Sequence, residues 1–405
     1  MYDYVPQDIL EKILHRLPPK SIGRCMAVCK SWNFLIKKLI LSAPDIVEEI
    51  LRRLPPRSIL NCMAVCRSWN FLVKKRISSI PLFLLQHSDD RYFLCSPNIQ
   101  CSYLLLPHDS IKSFVGALNG VVCFTSHNNF KTRISLFNPL RGRVLKLPTS
   151  PMMDDYTYLH LGFSFEFGFC FDSKKNDFKV ISICYSNDIR VHPVVELYSV
   201  NQGAWRVINA SSSLMQPSIN LSDPELYYYR IVHCGQQVFY QGNVHWLARK
   251  KILYRNHEQR QPSIIYYILI FNVVEEKFNE MVLPDVLANF LRRLDITVID
   301  GCLSLIQYLP GGSCYIWMKR ESWSNIQSVY LSEGKIEQLL GQNKSSEVLV
   351  LPHSSWPGET VSLHSYDLKS QRMRDLGVES TFIRLCASDL TYNLSFLDKK
   401  SNGEG

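Results

Sequence analysis

Residues 8–38 of this 405-residue chain recur at 45–75: at a fixed offset of 37 positions, without gaps, 23 of the 31 aligned residues are identical. Internal duplication fixes how the rest of a chain is divided, so the N-terminal region reads as one small supersecondary unit written twice. In each copy the first apolar residues fall at helical spacing: Ile9, Leu10, Ile13, Leu14 and Leu17, then Ile46, Val47, Ile50, Leu51 and Leu54. That spacing gives a helix one apolar face. Pro18-Pro19 and Pro55-Pro56 end these helices, because proline lacks an N–H and bars the preceding residue from helical geometry. Ser21 and Ser58 are placed to cap a second helix, and Trp32 and Trp69 mark a short third one. Three helices in about 40 residues bury too little surface to be robust alone, so the unit calls for a partner.

After Arg76 the pattern changes to short strands rich in Val, Ile, Phe and Tyr. An aromatic residue closes a strand, six residues follow, and an apolar residue opens the next: Phe137 with Val144, Tyr198 with Trp205, Phe271 with Phe278, Tyr366 with Met373, and a shorter Trp317 with Trp323. Each pair predicts a hairpin whose strands present equivalent side chains to one face. Upstream strand pairs turn at Asn119-Gly120, Gln241-Gly242 and Asp300-Gly301. Four strands per unit is the pattern of propeller blades. Five units are expected near 118–148, 168–209, 236–284, 296–332 and 345–377, with the flanks 82–107 and 382–397 pairing into a sixth. The expected fold is therefore multidomain: a small duplicated all-α region and an all-β, β-propeller-like domain. Boundaries fall at 1–40, 41–79 and 80–397, followed by a disordered tail at 398–405. The irregular repeat length leaves a β-sandwich as the alternative.

The net charge of +9 is concentrated at the start of the chain. Residues 1–76 hold 14 Lys/Arg and 6 Asp/Glu, leaving 31 against 30 for the remainder. Basic helices suit an acidic protein surface, whereas the near-neutral remainder argues against nucleic acid. No stretch is long and apolar enough to span a membrane, and Met1-Tyr2-Asp3-Tyr4 does not open a signal peptide, so a cytoplasmic or nuclear protein is expected. Thirteen cysteines without framework spacing fit reduced thiols, and Cys25/Cys29 and Cys62/Cys66 fit helix packing better than metal binding. No cofactor or metal is expected, and no motif of nucleophilic or phosphate chemistry is present. His245 reads as a hydrogen-bonded core histidine, and Asp172 and Asp177 as turn-stabilising residues. Arg249-Lys250-Lys251 reads as a solvated loop, while Tyr227-Tyr228-Tyr229-Arg230 reads either as an inter-strand partner surface or as strand packing.

Val5-Pro6-x-Asp8-Ile9, Leu17-Pro18-x-x-Ser21-Ile22 and Val28-Cys29-Lys30-x-Trp32 resemble the F-box, the helical motif that docks on the adaptor subunit of SCF ubiquitin ligases. The resemblance implies adaptor contacts at Pro6, Ile9, Leu17, Pro18, Ile22, Val28 and Trp32, and at Pro44, Ile46, Leu54, Pro55, Ile59, Val65 and Trp69 of the second copy. Copy 1 carries Lys12 where copy 2 has Glu49, and copy 2 lacks a residue between Pro44 and Asp45. One copy is expected to dock, with the second favoured because it adjoins the β body.

Gly116-x-Leu118-Asn119-Gly120, Phe137-Asn138-Pro139, Gly168-Phe169, Asp177-Phe178-Lys179-Val180, Val195-Glu196-Leu197-Tyr198 and His245-Trp246 resemble the type 1 F-box associated domain of plants, akin to kelch propellers. The implied function is a non-catalytic substrate-recognition subunit. It would join an SCF adaptor, and through it a cullin, to an unidentified protein target whose contact residues the sequence does not give. The alternative is a protein- or glycan-binding module whose duplicated F-boxes no longer enter a ligase.

Overall fold

The computed structural model describes the chain between Phe83 and Ala387, apart from connecting segments, the longest of which are 155–162, 209–224 and 255–262. Backbone contacts divide the chain into two units, residues 1–81 with 140–142 and the remainder, and every described residue falls in the second.

The second unit is built of strands in sequential sheets. β1 (Phe83–Gln86), β2 (Tyr92–Ser96) and β3 (Ile99–Leu104) belong to the first sheet. β4 (Ile111–Leu118), β5 (Val121–Asn128), β6 (Lys131–Asn138) and β7 (Arg143–Lys146) make the second. β8 (Ser164–Asp172), β9 (Asp177–Tyr185), β10 (Val194–Ser199) and β11 (Ala204–Ile208) make the third. The fourth has five strands: β12 (Glu225–Ile231), β13 (Val238–Tyr240), β14 (Asn243–Tyr254), β15 (Ser263–Asn272) and β16 (Lys277–Val282). β17 (Leu294–Ile299), β18 (Cys302–Tyr308), β19 (Cys314–Lys319) and β20 (Trp323–Val329) form the fifth. β21 (Ile336–Gln342), β22 (Val348–Pro352), β23 (Val361–Tyr366) and β24 (Met373–Ser380) form the sixth, and β25 (Arg384–Ala387) returns to pair with β1.

Five sheets thus arise from consecutive strands, one blade each, while the first joins strands from both ends of the unit. The leading strands lie side by side: β25 against β4, β4 against β8, β8 against β14, β13 against β17 and β17 against β21. This is a β-propeller, and the sandwich alternative fails. A sandwich has one core between two sheets, whereas here separate apolar clusters join the second blade to the third, the third to the fourth, the fourth to the fifth and the fifth to the sixth. Residue choice follows position. β9, covered on both faces by neighbouring blades, reads DFKVISICY and is buried along its whole length. β19 reads CYIWMK and alternates between buried and half-buried residues.

The hairpin registers follow the aromatic pairs: Phe137 faces Val144, Tyr198 faces Trp205, Phe271 faces Phe278 and Tyr366 faces Met373. The fifth pair does not. Trp323 faces Lys319 and Trp317 faces Asn325, because this hairpin turns through three residues, 320–322, where the other four turn through four. The upstream turns are as expected, with Asn119 and Gly120 at φ 48° and 75°. Both central residues of this tight turn are left-handed, a geometry open to Asn-Gly at little cost, and it recurs at Gln241-Gly242 and Asp300-Gly301.

Candidate functional site

The adaptor contacts implied by sequence, from Pro6 to Trp32 and from Pro44 to Trp69, lie outside the described residues, as do Cys25, Cys29, Cys62 and Cys66. Among the described residues, functional side chains converge at the junction of the third and fourth blades.

Two glycines set the blade spacing there. A Cβ on Gly168 would stand 2.5 Å from Trp246 Cζ2, so only glycine lets the indole reach β8, where Trp246 Nε1 donates to Phe167 O at 3.2 Å. A Cβ on Gly116 of β4 would collide with the Gln237 amide. That amide acts as a substitute strand: Gln237 Nε2 donates to Phe169 O at 2.7 Å, and Phe169 N donates to Gln237 Oε1 at 2.5 Å. Gln237 lies just before β13, where the inner strand of the fourth blade is interrupted between β12 and β13. One side chain therefore ties the fourth blade to the third, close against the second.

A buried ionic clasp joins the same two blades. Lys179 Nζ, with its side chain 3% exposed, lies 2.8 Å from Asp172 Oδ2 and 3.2 Å from Glu276 Oε1, and donates to Val273 O at 3.4 Å. Arg206 holds the other oxygen of Glu276. Burial raises the carboxyls of Asp172 and Glu276, but the bonds they accept, including those from Lys179, outweigh it and hold both below their ordinary range. Burial depresses the Lys179 ammonium, and its two carboxylate partners more than restore it. Asp172 Oδ1 also accepts from Lys174 N and Lys175 N, the turn role that the sequence assigned to it, whereas Asp177 accepts from Ser199 Oγ and Asn201 N and so braces the next hairpin instead of its own turn. The sequence missed Lys179, because its partner Glu276 lies on a different blade.

A second polar group lies where β8 begins and β9 ends. Arg230 Nη2 donates to Ser164 Oγ at 2.9 Å, and the guanidinium stands 5.9 Å from the Tyr185 ring centroid. Burial pushes Glu166 up to about 7, with Arg230 opposing the shift. His245 is buried at 4% exposure, and burial pushes its imidazole below the ordinary range. Hydrogen bonds with the backbone of Val238 and Asn243 oppose that shift, in keeping with a hydrogen-bonded core histidine. Arg249-Lys250-Lys251 is not a loop: it lies within β14, paired on both sides by β12 and β15. Tyr227–Arg230 likewise belongs to β12 and is not an inter-strand segment. Burial lifts the thiols of Cys123, Cys170 and Cys314, and the cysteines whose state is described are free. Among the described residues no group of His, Cys, Asp and Glu could hold a metal, and no helix is long and apolar enough to cross a membrane.

The F-box associated beta propeller domain family matches residues 94–329, more than half of the chain. The chain belongs to that family. The F-box domain family matches twice as well, at 5–42 and 44–80, so this F-box associated protein carries a tandem F-box. Among similar proteins are the Arabidopsis thaliana F-box/kelch-repeat protein At3g23880, 22% identical over 80% of this chain and 79% of that protein, and the Arabidopsis F-box protein CPR1, 25% identical over 53% and 51%. The Arabidopsis F-box protein At3g07870 is 23% identical over 83% and 75%. The family match begins inside β2 and ends with β20, so the motifs Gly116, Gly168-Phe169 and His245-Trp246 that it spans are those that set the blade junctions.

Proposed function

We propose that this F-box associated protein is the substrate-recognition subunit of an SCF-type ubiquitin ligase, non-catalytic itself and acting in the cytoplasm or nucleus. The observation that carries the reading is the joining, in one chain, of F-box matches at 5–42 and 44–80 to an F-box associated propeller. F-box domains generally bind SCF components. In this reading residues 1–40 and 41–79 are the two docking units, and 80–397 is the target-binding body. The mechanism is proximity: the helical units fix the chain to the adaptor, and through it to a cullin, while the propeller holds a protein at raised effective concentration near the transfer machinery.

Leu54, Pro55, Ile59, Val65 and Trp69, with their equivalents Leu17, Pro18, Ile22, Val28 and Trp32, carry the adaptor affinity. An apolar helix face in a groove, anchored by an indole, supplies it. The basic balance of residues 1–76 favours encounter with an acidic partner. Capture of the adaptor by the full chain tests the proposal. Leu54→Ala with Pro55→Ala is expected to abolish capture, and Leu17→Ala with Pro18→Ala to leave most of it. The reverse pattern would move docking to the first copy, and unchanged capture by both double variants would overturn the reading.

A further inference from the structure

At the junction of the third and fourth blades one cation, Arg230, is acted on by the carboxyl of Glu166, which burial pushes up to about 7. Arg230 is half-buried, fixed by Ser164 Oγ at 2.9 Å and by the Tyr185 ring. Among the described residues no carboxylate stands within salt-bridge distance of it. Guanidinium is a planar fork of donors that matches a carboxylate in two-point geometry, and only one edge of this fork is occupied. Tyr185 is 4% exposed, and its hydroxyl lies by the backbone of Ile231, the residue after Arg230.

The strands around Arg230 give the shape of what would bind. Arg230 is in register with Arg249 of β14, which is in register with Tyr266 of β15. β14 continues from there through Tyr254, paired with β12 as far as Glu225. At about 3.3 Å per residue, the three strands run together through Ile252, roughly 10 Å past Arg230, and β12 and β14 continue as a pair to Tyr254. The third blade has no such extension, since β8 starts at Ser164 and β9 stops at Tyr185, both of them at Arg230. On the face that carries Arg230 the ribbon bears Arg249 and Lys251 on its middle strand, whereas Lys250 and its partner Ile265 point to the other face. A ribbon face carrying Arg249 and Lys251, with the Arg230 guanidinium at its foot, fits an acidic polypeptide segment.

We propose that Arg230 reads a carboxylate of the protein that the propeller recruits, with the β12–β14–β15 ribbon lying along the acidic segment that carries it. This deepens the target-binding half of the proposed function and rests on it. Glu166 then sets the pH at which the site works. The ionisable groups bearing on it are Arg230 of β12 and Tyr185 of β9. With its carboxyl pushed up to about 7 by burial, Glu166 is neutral in mild acid and leaves Arg230 to the ligand, whereas above that pH it ionises and competes.

The test uses the full chain and synthetic peptides mixing Glu with apolar residues, matched with Gln-for-Glu versions, each as the free acid and the C-terminal amide. Binding is followed by fluorescence anisotropy. The wild type is expected to prefer the Glu peptides by about tenfold, the preference weakening between about pH 6 and pH 8. Loss of preference on Gln exchange assigns the carboxylate to a side chain, and loss on amidation assigns it to a C-terminus; either supports the proposal. Arg230→Gln is expected to bring all peptides within about twofold, with Arg230→Lys in between, and Glu166→Gln to flatten the pH profile. A wild type with no acid preference, or an Arg230→Gln protein that keeps it, would overturn the proposal. If Arg230→Gln fails to fold, as judged by its melting, the Glu166→Gln profile decides. Adaptor capture measured on the same samples separates the two ideas: its failure in the wild type breaks the ligase reading, whereas loss of acid preference alone breaks this one.

Discussion

The junction of the third and fourth blades and that of the fifth and sixth solve the same packing problem with different chemistry. Both have apolar clusters, in which Trp246, Phe271 and Phe278 are buried at the first and Ile316, Met318 and Val350 at the second. The fifth and sixth blades are linked by phenol and amide donors: Tyr308 OH donates to Asp295 Oδ2 at 2.8 Å and accepts from Leu339 N at 2.9 Å, Gln342 bonds both the amide and the carboxyl of Asp300, and Gln327 Nε2 donates to Leu368 O. The third and fourth add a buried lysine between two carboxylates, a glycine that admits an indole, a glutamine standing in for a strand, and an arginine held by a serine. A junction tied by phenol and amide donors, with no ion pair across it among the described residues, has no buried cation to lose. A charged one depends on protonation and leaves directional bonding capacity at its rim, and that is the kind of junction on which recognition can be built.

This contrast predicts unequal responses to mutation. Lys179→Met should cost the most, about 3–5 kcal/mol in denaturant unfolding, because it strands buried Asp172 and half-buried Glu276 without a counterion. A cost below about 1 kcal/mol would erase the distinction between the junctions. Gly168→Ala should cost about 1–3 kcal/mol, since the new methyl group meets the Trp246 ring, and the tryptophan fluorescence should shift with it. Tyr308→Phe should cost about 1–2 kcal/mol by leaving Leu339 N without its acceptor.

The smallest difference is expected between wild type and Lys179→Met in acid. Asp172 and Glu276 lie below their ordinary values of 3.8 and 4.5, so their contribution is complete above that range and is lost as pH falls through the depressed values. Unfolding curves of the two proteins should converge below about pH 4, while the deficit of Tyr308→Phe persists. Lys179 is raised above 10.5, so its share is present below that value and disappears only as pH rises through the raised one.

What could be read from sequence was local. Phe271 and Phe278 sit seven residues apart across a tight hairpin, so spacing alone gave their register. The same rule failed at Trp317 and Trp323, six apart, because a three-residue turn at 320–322 puts Lys319 opposite Trp323. Asp172 could be read as a turn residue because it bonds two and three positions ahead, yet its lysine clasp closes on Glu276, 97 residues beyond Lys179. Gly116 and Gly168 stood out as motif glycines without a reason, because the side chains that need the space, Gln237 and Trp246, come from another blade. Arg249-Lys250-Lys251 was misread because three charges in a row look solvated, and a ribbon extending past its blade permits charge within a strand.

The pairing of β25 with β1 has a consequence for synthesis. Phe83 is made long before Ala387, and the two strands meet only when both exist. At ribosomal rates of about 5–20 residues per second, the intervening 304 positions (387 − 83) take roughly 15–60 s to appear. Throughout that interval the nascent polypeptide displays a bare strand edge, the form most open to wrong pairing and to chaperones. A message cut short between Ser380 and Arg384 would yield a product that stays in this state, with five finished blades and no latch.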